Sequence, residues 1–167
     1  YQLVGSMTPI EVFGRITSGV SMAYPITVRE GENMYEVADT FEERGLMSRA
    51  QALKLFRSRE IMRAVGLGDP LPVSLEGYLF PETYHFSKTQ TPEEMVKQMA
   101  RLALSHWTPE LQASARQQGF TRQEVFTLAS IIEKETGAPE DRPLISSVFH
   151  NRLKKKMRLQ TDPTVIY

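Results

Sequence analysis

Cysteine is absent from the 167 residues, and histidine is scarce. Without cysteine the chain has no disulfides, thiolate metal sites, iron–sulfur clusters or cysteine nucleophiles. His85, His106 and His150 lie far apart and form no H-E-x-x-H pattern, so the sequence predicts no histidine-based metal site and no cofactor. No run of 18 apolar residues is present, which excludes a membrane-spanning helix from these residues.

The chain also lacks an excess of charge of either sign. Twenty Lys and Arg side chains balance twenty Asp and Glu side chains, and the formal net charge is +0. Proteins that coat nucleic acids or bind membranes through polybasic segments depend on a summed positive field. We therefore expect no nucleic-acid partner. A hydrophobic share of 41% and a charged share of 24% are typical of a globular protein with a real core.

The ends of the sequence lack the usual signals. The chain begins at Tyr1 instead of a methionine and stops at Tyr167 without a closing signal. We expect it to be an excised piece of a longer protein, with any export signal or membrane anchor outside it.

Helix starts are easily read in this sequence. A Thr or Asn three positions before a Glu forms a capping box at Thr8, Asn33, Thr91 and Thr121. The predicted helices cover about 9–20, 34–44, 48–66, 92–107, a short stretch from 109, 122–136 and 140–156. A strand is predicted at 24–28 because β-branched residues dominate it.

Glycines and prolines cluster at residues 66–72 and predict a domain boundary. Beyond it, Tyr78, Phe80, Tyr84 and Phe86 share one parity, so an extended chain would place them on one face. Pro81 forbids a central strand there, which leaves an edge strand or two short extended pieces. These aromatic rings could stack on sugar rings, or at least half of them could belong to the core.

The helix at 122–136 carries the most informative residues. At 100° per residue, an apolar face forms from Val125, Leu128, Ala129, Ile132 and Thr136. Glu133 and Glu135 lie on opposite shoulders of that face, about 200° apart, and Lys134 points away from it. At most one glutamate therefore faces a given cleft. A glutamate among Ile and Leu could serve as a general acid, although charged shoulders are also the ordinary edge of an amphipathic helix.

A basic stretch at 151–158 has five cations and no acid. It could meet an anionic surface, but a helix C-terminus favours cations for its own dipole. The following residues, 158–164, combine hydrogen-bonding side chains with a proline turn, which suits a polar cleft wall or any loop.

Several motifs in this order resemble the MltG (YceG-like) family of endolytic murein transglycosylases. They are residues 129–136 (ASIIEKET), 147–153 (SVFHNRL), 157–167 (MRLQTDPTVIY) and 75–84 (LEGYLFPETY). Residues 25–38 (PITVREGENMYEVA) are similar to the family's LysM-like module. The resemblance implies an α+β protein: a small LysM-like α/β module at 1–70, then a mostly helical catalytic domain with short β segments at 71–167.

The resemblance also implies an activity. Members of the family cut peptidoglycan glycan strands internally after N-acetylmuramic acid and leave 1,6-anhydro ends. It implies an inner-membrane protein that works in the periplasm, held by an upstream helix absent from this chain, with peptidoglycan synthases as partners. Because the family's catalytic domain continues past Tyr167, we expect part of the cleft wall to be missing here.

The family's catalytic residue is a glutamate of the Glu-x-Glu-Thr stretch. The resemblance places it on Glu135, because Glu-Thr matches the Glu-Ser pair of many lytic transglycosylases, and Glu133 stays an alternative. The residues that it implies for glycan binding are Glu133, Asn151, Gln160, Thr161 and Asp162.

The residues leave two other functions open. A non-catalytic peptidoglycan-binding scaffold would use the LysM-like part and keep the glutamates as structure. A pyridoxal-phosphate lyase would need a buried lysine for a Schiff base, but the lysines here lie in charged stretches without a phosphate cradle.

Overall fold

The computed structural model describes residues 4–17 and 23–162. Within these ranges the chain forms a two-stranded sheet and eight α-helices. The strands are β1 (Ala23–Thr27) and β2 (Thr83–Ser87). The helices are α1 (Pro9–Thr17), α2 (Met34–Glu43), α3 (Arg49–Phe56), α4 (Arg59–Ala64), α5 (Pro92–Ser105), α6 (Pro109–Gln118), α7 (Arg122–Glu135) and α8 (Arg142–Lys154). This architecture confirms the α+β class; the LysM-like character of the first part stays a prediction.

The two strands pair antiparallel across 56 residues of sequence. Ile26 faces Tyr84 and Tyr24 faces Phe86 in the register. Ile26, Tyr84 and Phe86 are buried on one face, whereas Pro25 and His85 lie exposed on the other. Strand β2 begins two residues after Pro81, as expected because proline has no N–H to donate to the hydrogen bonds of a sheet.

One core lies beneath this sheet. It gathers side chains from both strands, from α2 to α5 and from the segment 75–79, including Phe41, Phe56, Leu75 and Met99. Phe41 stacks on Phe86 with ring centroids 5.7 Å apart. The sheet and the core therefore join residues on both sides of residue 70, and the division into 1–70 and 71–167 stays a prediction.

The helix starts follow the predicted capping boxes. The boxes of Asn33 with Glu36, Thr91 with Glu94 and Thr121 with Glu124 are all formed. Helix α1 is described as far as Thr17, so the predicted extension to residue 20 lies outside the described residues.

Two helix predictions were wrong in extent. The stretch 48–66 is two helices, because the Ser58 hydroxyl accepts from the backbone N–H of Ile61 and starts a new helix after Phe56. The stretch 140–156 begins as a 3₁₀ turn, Pro139–Asp141, and α8 starts only at Arg142. Short polar caps and proline turns divide stretches that look continuous in periodicity.

Helix α7 packs against the core through Phe126. The Phe126 ring stacks on Tyr78 with centroids 4.9 Å apart, and the Tyr78 hydroxyl donates to Gln123 Oε1 at 2.9 Å. Burial raises the pKa of Tyr78, with the Arg122 charge acting in the opposite direction. On its other side α7 contacts α8, where Leu128 and Phe149 are buried. Helix α7 therefore lies between the core and α8.

Candidate functional site

A groove of about 360 Å³ runs between α7 and the turn that joins β1 to α2. The segment 76–81 forms its floor. The residues that line it are Glu30, Gly31, Glu32, Glu76, Gly77, Leu79, Phe80, Pro81, Phe126, Ala129, Ser130, Glu133 and Lys134. The lining combines two phenylalanine rings with four carboxylates, a mixture found in sites that bind polar ligands with apolar faces.

Close backbone approach at Gly77 shapes the floor. Gly77 has φ +78, and a Cβ placed on it would lie 3.4 Å from the Ser130 hydroxyl. A side chain at this position would therefore be strained by the positive φ and would touch Ser130 on α7. The neighbouring Glu76 accepts a hydrogen bond from the backbone N–H of Met34 at 2.9 Å, which holds the start of α2 against the floor.

Glu133 lies on the groove side of α7. Its Oε1 accepts a hydrogen bond from Arg142 Nη2 at 2.7 Å, and the same Nη2 lies 3.6 Å from Glu30 Oε2. The side chains of Glu133 and Arg142 are 29% and 31% exposed. Glu133 is thus an ion-paired carboxylate at the groove wall.

Glu135 lies on the opposite side of the same helix. Its Oε2 accepts a hydrogen bond from the Thr161 hydroxyl, and Thr161 is 5% exposed. Glu135 is the last residue of α7. It forms no ion pair with any of the described residues. Of the two glutamates only Glu133 lines this groove, which agrees with the expectation that at most one of them faces a given cleft.

The predicted glycan-binding residues are only partly brought together. Thr161 meets Glu135, and the backbone before it is fixed because Arg152 donates to the carbonyl oxygen of Leu159. Asn151, Gln160 and Asp162 are exposed and do not line the groove.

The groove lies along one shoulder of the apolar face that the helical wheel describes for α7. Of the expected apolar face, Leu128 is buried but Ala129 is exposed at the groove wall. Lys134, expected to point away, lines the groove with its Nζ 3.8 Å from where a Cβ on Gly31 would lie. The reason is that Phe126 packs on Tyr78, which turns the neighbouring shoulder of the helix toward the β1–α2 turn.

Sequence reasoning missed Arg142. A signal was present, since a cation in the first turn of a predicted helix opposes the helix dipole and needs another reason to be there.

The described residues contain no group of three or more His, Asp and Glu side chains that could bind a metal ion. Within the same residues, no helix is both long and apolar enough to cross a membrane.

Comparisons with known proteins agree with the sequence motifs. A protein of Bacillus subtilis (strain 168) named endolytic murein transglycosylase is 33% identical to the chain over 180 residues. That similarity covers 100% of this chain and 50% of the relative. A protein of Streptococcus pneumoniae (strain D39) with the same name is 32% identical, over 85% of this chain and 29% of its own length. The chain therefore spans half or less of the curated relatives it matches.

The fold has a solved counterpart as well. A crystal structure of a YceG-like protein from Listeria monocytogenes matches with a TM-score of 0.76 and 30% sequence identity. The match covers 100% of this chain and 59% of that protein. A family model described as the YceG-like family matches residues 1–167. The chain belongs to the YceG-like family.

Proposed function

We propose that this protein is a lytic transglycosylase that cuts peptidoglycan glycan strands internally after N-acetylmuramic acid. The names of the Bacillus and Streptococcus relatives support this reaction class, since both are endolytic murein transglycosylases. The observation that carries the proposal is the position of Glu135, a carboxylate at the end of α7 in contact with Thr161 and outside the ion pair that engages Glu133.

A lytic transglycosylase can work with one carboxylate. Hydrolysis of a glycoside normally uses two, one as acid and the other as nucleophile or base. Here the protonated Glu135 gives its proton to the leaving glycosidic oxygen as the bond to C1 of muramic acid breaks. The carboxylate then takes the proton of the sugar's own 6-hydroxyl, whose oxygen bonds to C1 and closes the 1,6-anhydro ring. No water is consumed.

Glu133 is a second candidate for the acid because it lines the groove. Its pairing with the Arg142 guanidinium favours a different role, in which it binds a neighbouring stretch of the glycan strand at the groove wall, while the bond that is cut lies at Glu135 on the other side of α7. Thr161 would orient the Glu135 carboxylate, and Asn151, Gln160 and Asp162 would hold the sugar from the exposed surface beyond it. The groove rings of Phe80 and Phe126 offer apolar faces to sugar C–H groups.

Matched glutamine variants of the complete gene product test these roles on purified peptidoglycan. Glu135→Gln should lower the cutting rate by roughly 10²–10⁴-fold, as for removal of a general acid–base group. Glu140→Gln is the control, since Glu140 is an exposed carboxylate on the nearby 3₁₀ turn. Unchanged cutting by Glu135→Gln together with a large loss in Glu133→Gln would transfer the role to Glu133.

The same variants separate catalysis from binding alone. A scaffold protein would bind glycan strands but release no fragments, with or without Glu135. We propose further that the protein works on the cell wall from the periplasmic side of the inner membrane, held there by a helix upstream of this chain, and acts beside peptidoglycan synthases. Fractionation of cells and crosslinking of the complete gene product would test that placement.

A further inference from the structure

Arg142 connects the two walls of the groove. Glu30 belongs to the β1–α2 turn on one wall, and Glu133 belongs to α7 on the other. Arg142 Nη2 lies 2.7 Å from Glu133 and 3.6 Å from Glu30, so one guanidinium group contacts both. These walls come from parts of the chain about 100 residues apart.

Two features of Arg142 are unfavourable for folding. It is the first residue of α8, where the positive end of the helix dipole repels a cation. Its Nε is buried and has no hydrogen-bond partner among the described residues. Neither feature stabilises the helix that contains it, so the reason for an arginine here lies in the contact between the walls.

We propose that Arg142 is a positioning residue that fixes the Glu133 carboxylate and the width of the groove for substrate binding. This inference rests on the proposed function. Arg142 is not among the residues that line the groove, and its partner Glu133 lies on the other side of α7 from the proposed catalytic Glu135, so Arg142 acts on affinity through Glu133 and Glu30. The chemical step depends on Glu135 and is left unchanged.

The arginine side chain is well suited to this position. The two N–H bonds of Nη2 are held in the plane of the guanidinium, so this one nitrogen can face both carboxylates in a defined arrangement. Lysine would supply the charge without this fixed plane. The Glu30 side chain is 70% exposed, so the Arg142–Glu30 ion pair is weaker than the Arg142–Glu133 pair and is screened by salt.

The test measures binding and turnover separately. Binding of soluble glycan strands is measured in a Glu135→Gln background, where cutting should be slowed by roughly 10²–10⁴-fold. The variants are Arg142→Gln, Arg142→Lys, Glu30→Gln and the double variant Arg142→Gln/Glu30→Gln. KM and kcat are measured in the unsubstituted background. Arg49→Gln is the matched control, because it removes an ion pair with Asp39 that lies outside the groove.

Arg142→Gln should weaken binding roughly threefold or more, as coupled ionic contacts do, with kcat within about twofold of the unsubstituted protein. The affinity of Arg142→Lys should lie between those of Arg142→Gln and the unsubstituted protein. The double variant should bind no worse than Arg142→Gln alone, because Arg142→Gln already removes the ion pair with Glu30. Binding by Arg49→Gln should not change.

Three results would overturn the inference: unchanged binding in Arg142→Gln, losses that simply multiply in the double variant, or a fall in kcat with binding preserved. If Arg142→Gln fails to fold, Glu30→Gln decides the question, because an exposed side chain on a turn tolerates the change. Unchanged glycan binding by Glu30→Gln at low salt would also overturn the inference. If the unsubstituted protein neither binds nor cuts glycan strands, the proposed function itself has failed. If it does both and the variants match it, only the role of Arg142 has failed.

Discussion

The Thr161 hydroxyl donates a hydrogen bond to the Glu135 carboxylate, which lies 26 residues earlier in the chain. This contact links the end of α7 to the segment after α8 and gives the carboxylate a fixed neighbour. Since Thr161 is 5% exposed, the contact lies at the edge of the protein interior, where a hydrogen bond restricts the side chain more than at a fully exposed site. The proposed catalytic role of Glu135 depends on this arrangement.

Removing the Thr161 hydroxyl should impair catalysis without unfolding the protein. Thr161→Val keeps the shape but loses the donor, and a hydrogen bond to a charged group contributes about 1.5–3 kcal/mol, so we expect a rate loss of roughly tenfold or more. Thr161→Ser keeps the hydroxyl and should retain most of the activity. Initial cutting rates on purified peptidoglycan measure both, and equal rates for Val and Ser would contradict the role of the contact.

The start of α2 should depend on a side chain from the groove floor. Glu76 accepts from the Met34 N–H, so Glu76→Ala leaves a part-buried helix N–H without its partner and should lower the free energy of unfolding by about 1–3 kcal/mol. Glu76→Gln retains an acceptor oxygen and should lose less. Urea unfolding of both variants measures the difference; an alanine variant as stable as the unsubstituted protein would contradict the finding.

The capping box of α7 should contribute measurable stability. The Thr121 hydroxyl accepts from the backbone N–H of Glu124 at 3.3 Å, and Thr121→Ala should destabilise the protein by about 1 kcal/mol. For a chain of this size the melting temperature would fall by roughly 2–4 °C. Thr121→Ser is the control and should melt within about 1 °C of the unsubstituted protein. Equal melting of the alanine and serine variants would show that the box does not act as described.

The same box should make stability depend on acid. Hydrogen bonds from the Thr121 backbone N–H and hydroxyl lower the pKa of Glu124 below 4.5. A lowered folded-state pKa contributes stability that is present above the unfolded value and is lost as the pH falls through the folded value. Thermal unfolding between about pH 6 and pH 3 should therefore show a steeper loss for the unsubstituted protein than for Glu124→Gln, whose amide does not titrate. Parallel curves would contradict this assignment.

Local chemistry made much of the secondary structure predictable. A capping box satisfies free N–H groups within a few residues, so Asn33, Thr91 and Thr121 mark their helices without tertiary context. The pairing of β1 with β2 could not be read in this way, because it joins strands 56 residues apart through a shared core. The break at Ser58 was missed because a lone serine cap is a weaker signal than a full box.

The candidate site was also predictable only where local helix geometry determines it. Helical geometry alone separated Glu133 from Glu135, since residues two apart cannot share a helix face. It could not tell which of the two faces the groove, because that depends on how Phe126 packs against Tyr78. The contacts of Arg142 with Glu30 and of Thr161 with Glu135 are tertiary and have no periodic signature in the sequence.

The mass of the reaction products distinguishes a lytic transglycosylase from a hydrolase. Glycan fragments released from purified peptidoglycan by the complete gene product should end in muramic acid and be lighter by one water than hydrolysis products, because the 6-hydroxyl closes the ring. The Glu135→Gln variant should release far fewer of them. Fragments of full hydrolytic mass would contradict the account, since they would require an activated water and a second catalytic carboxylate.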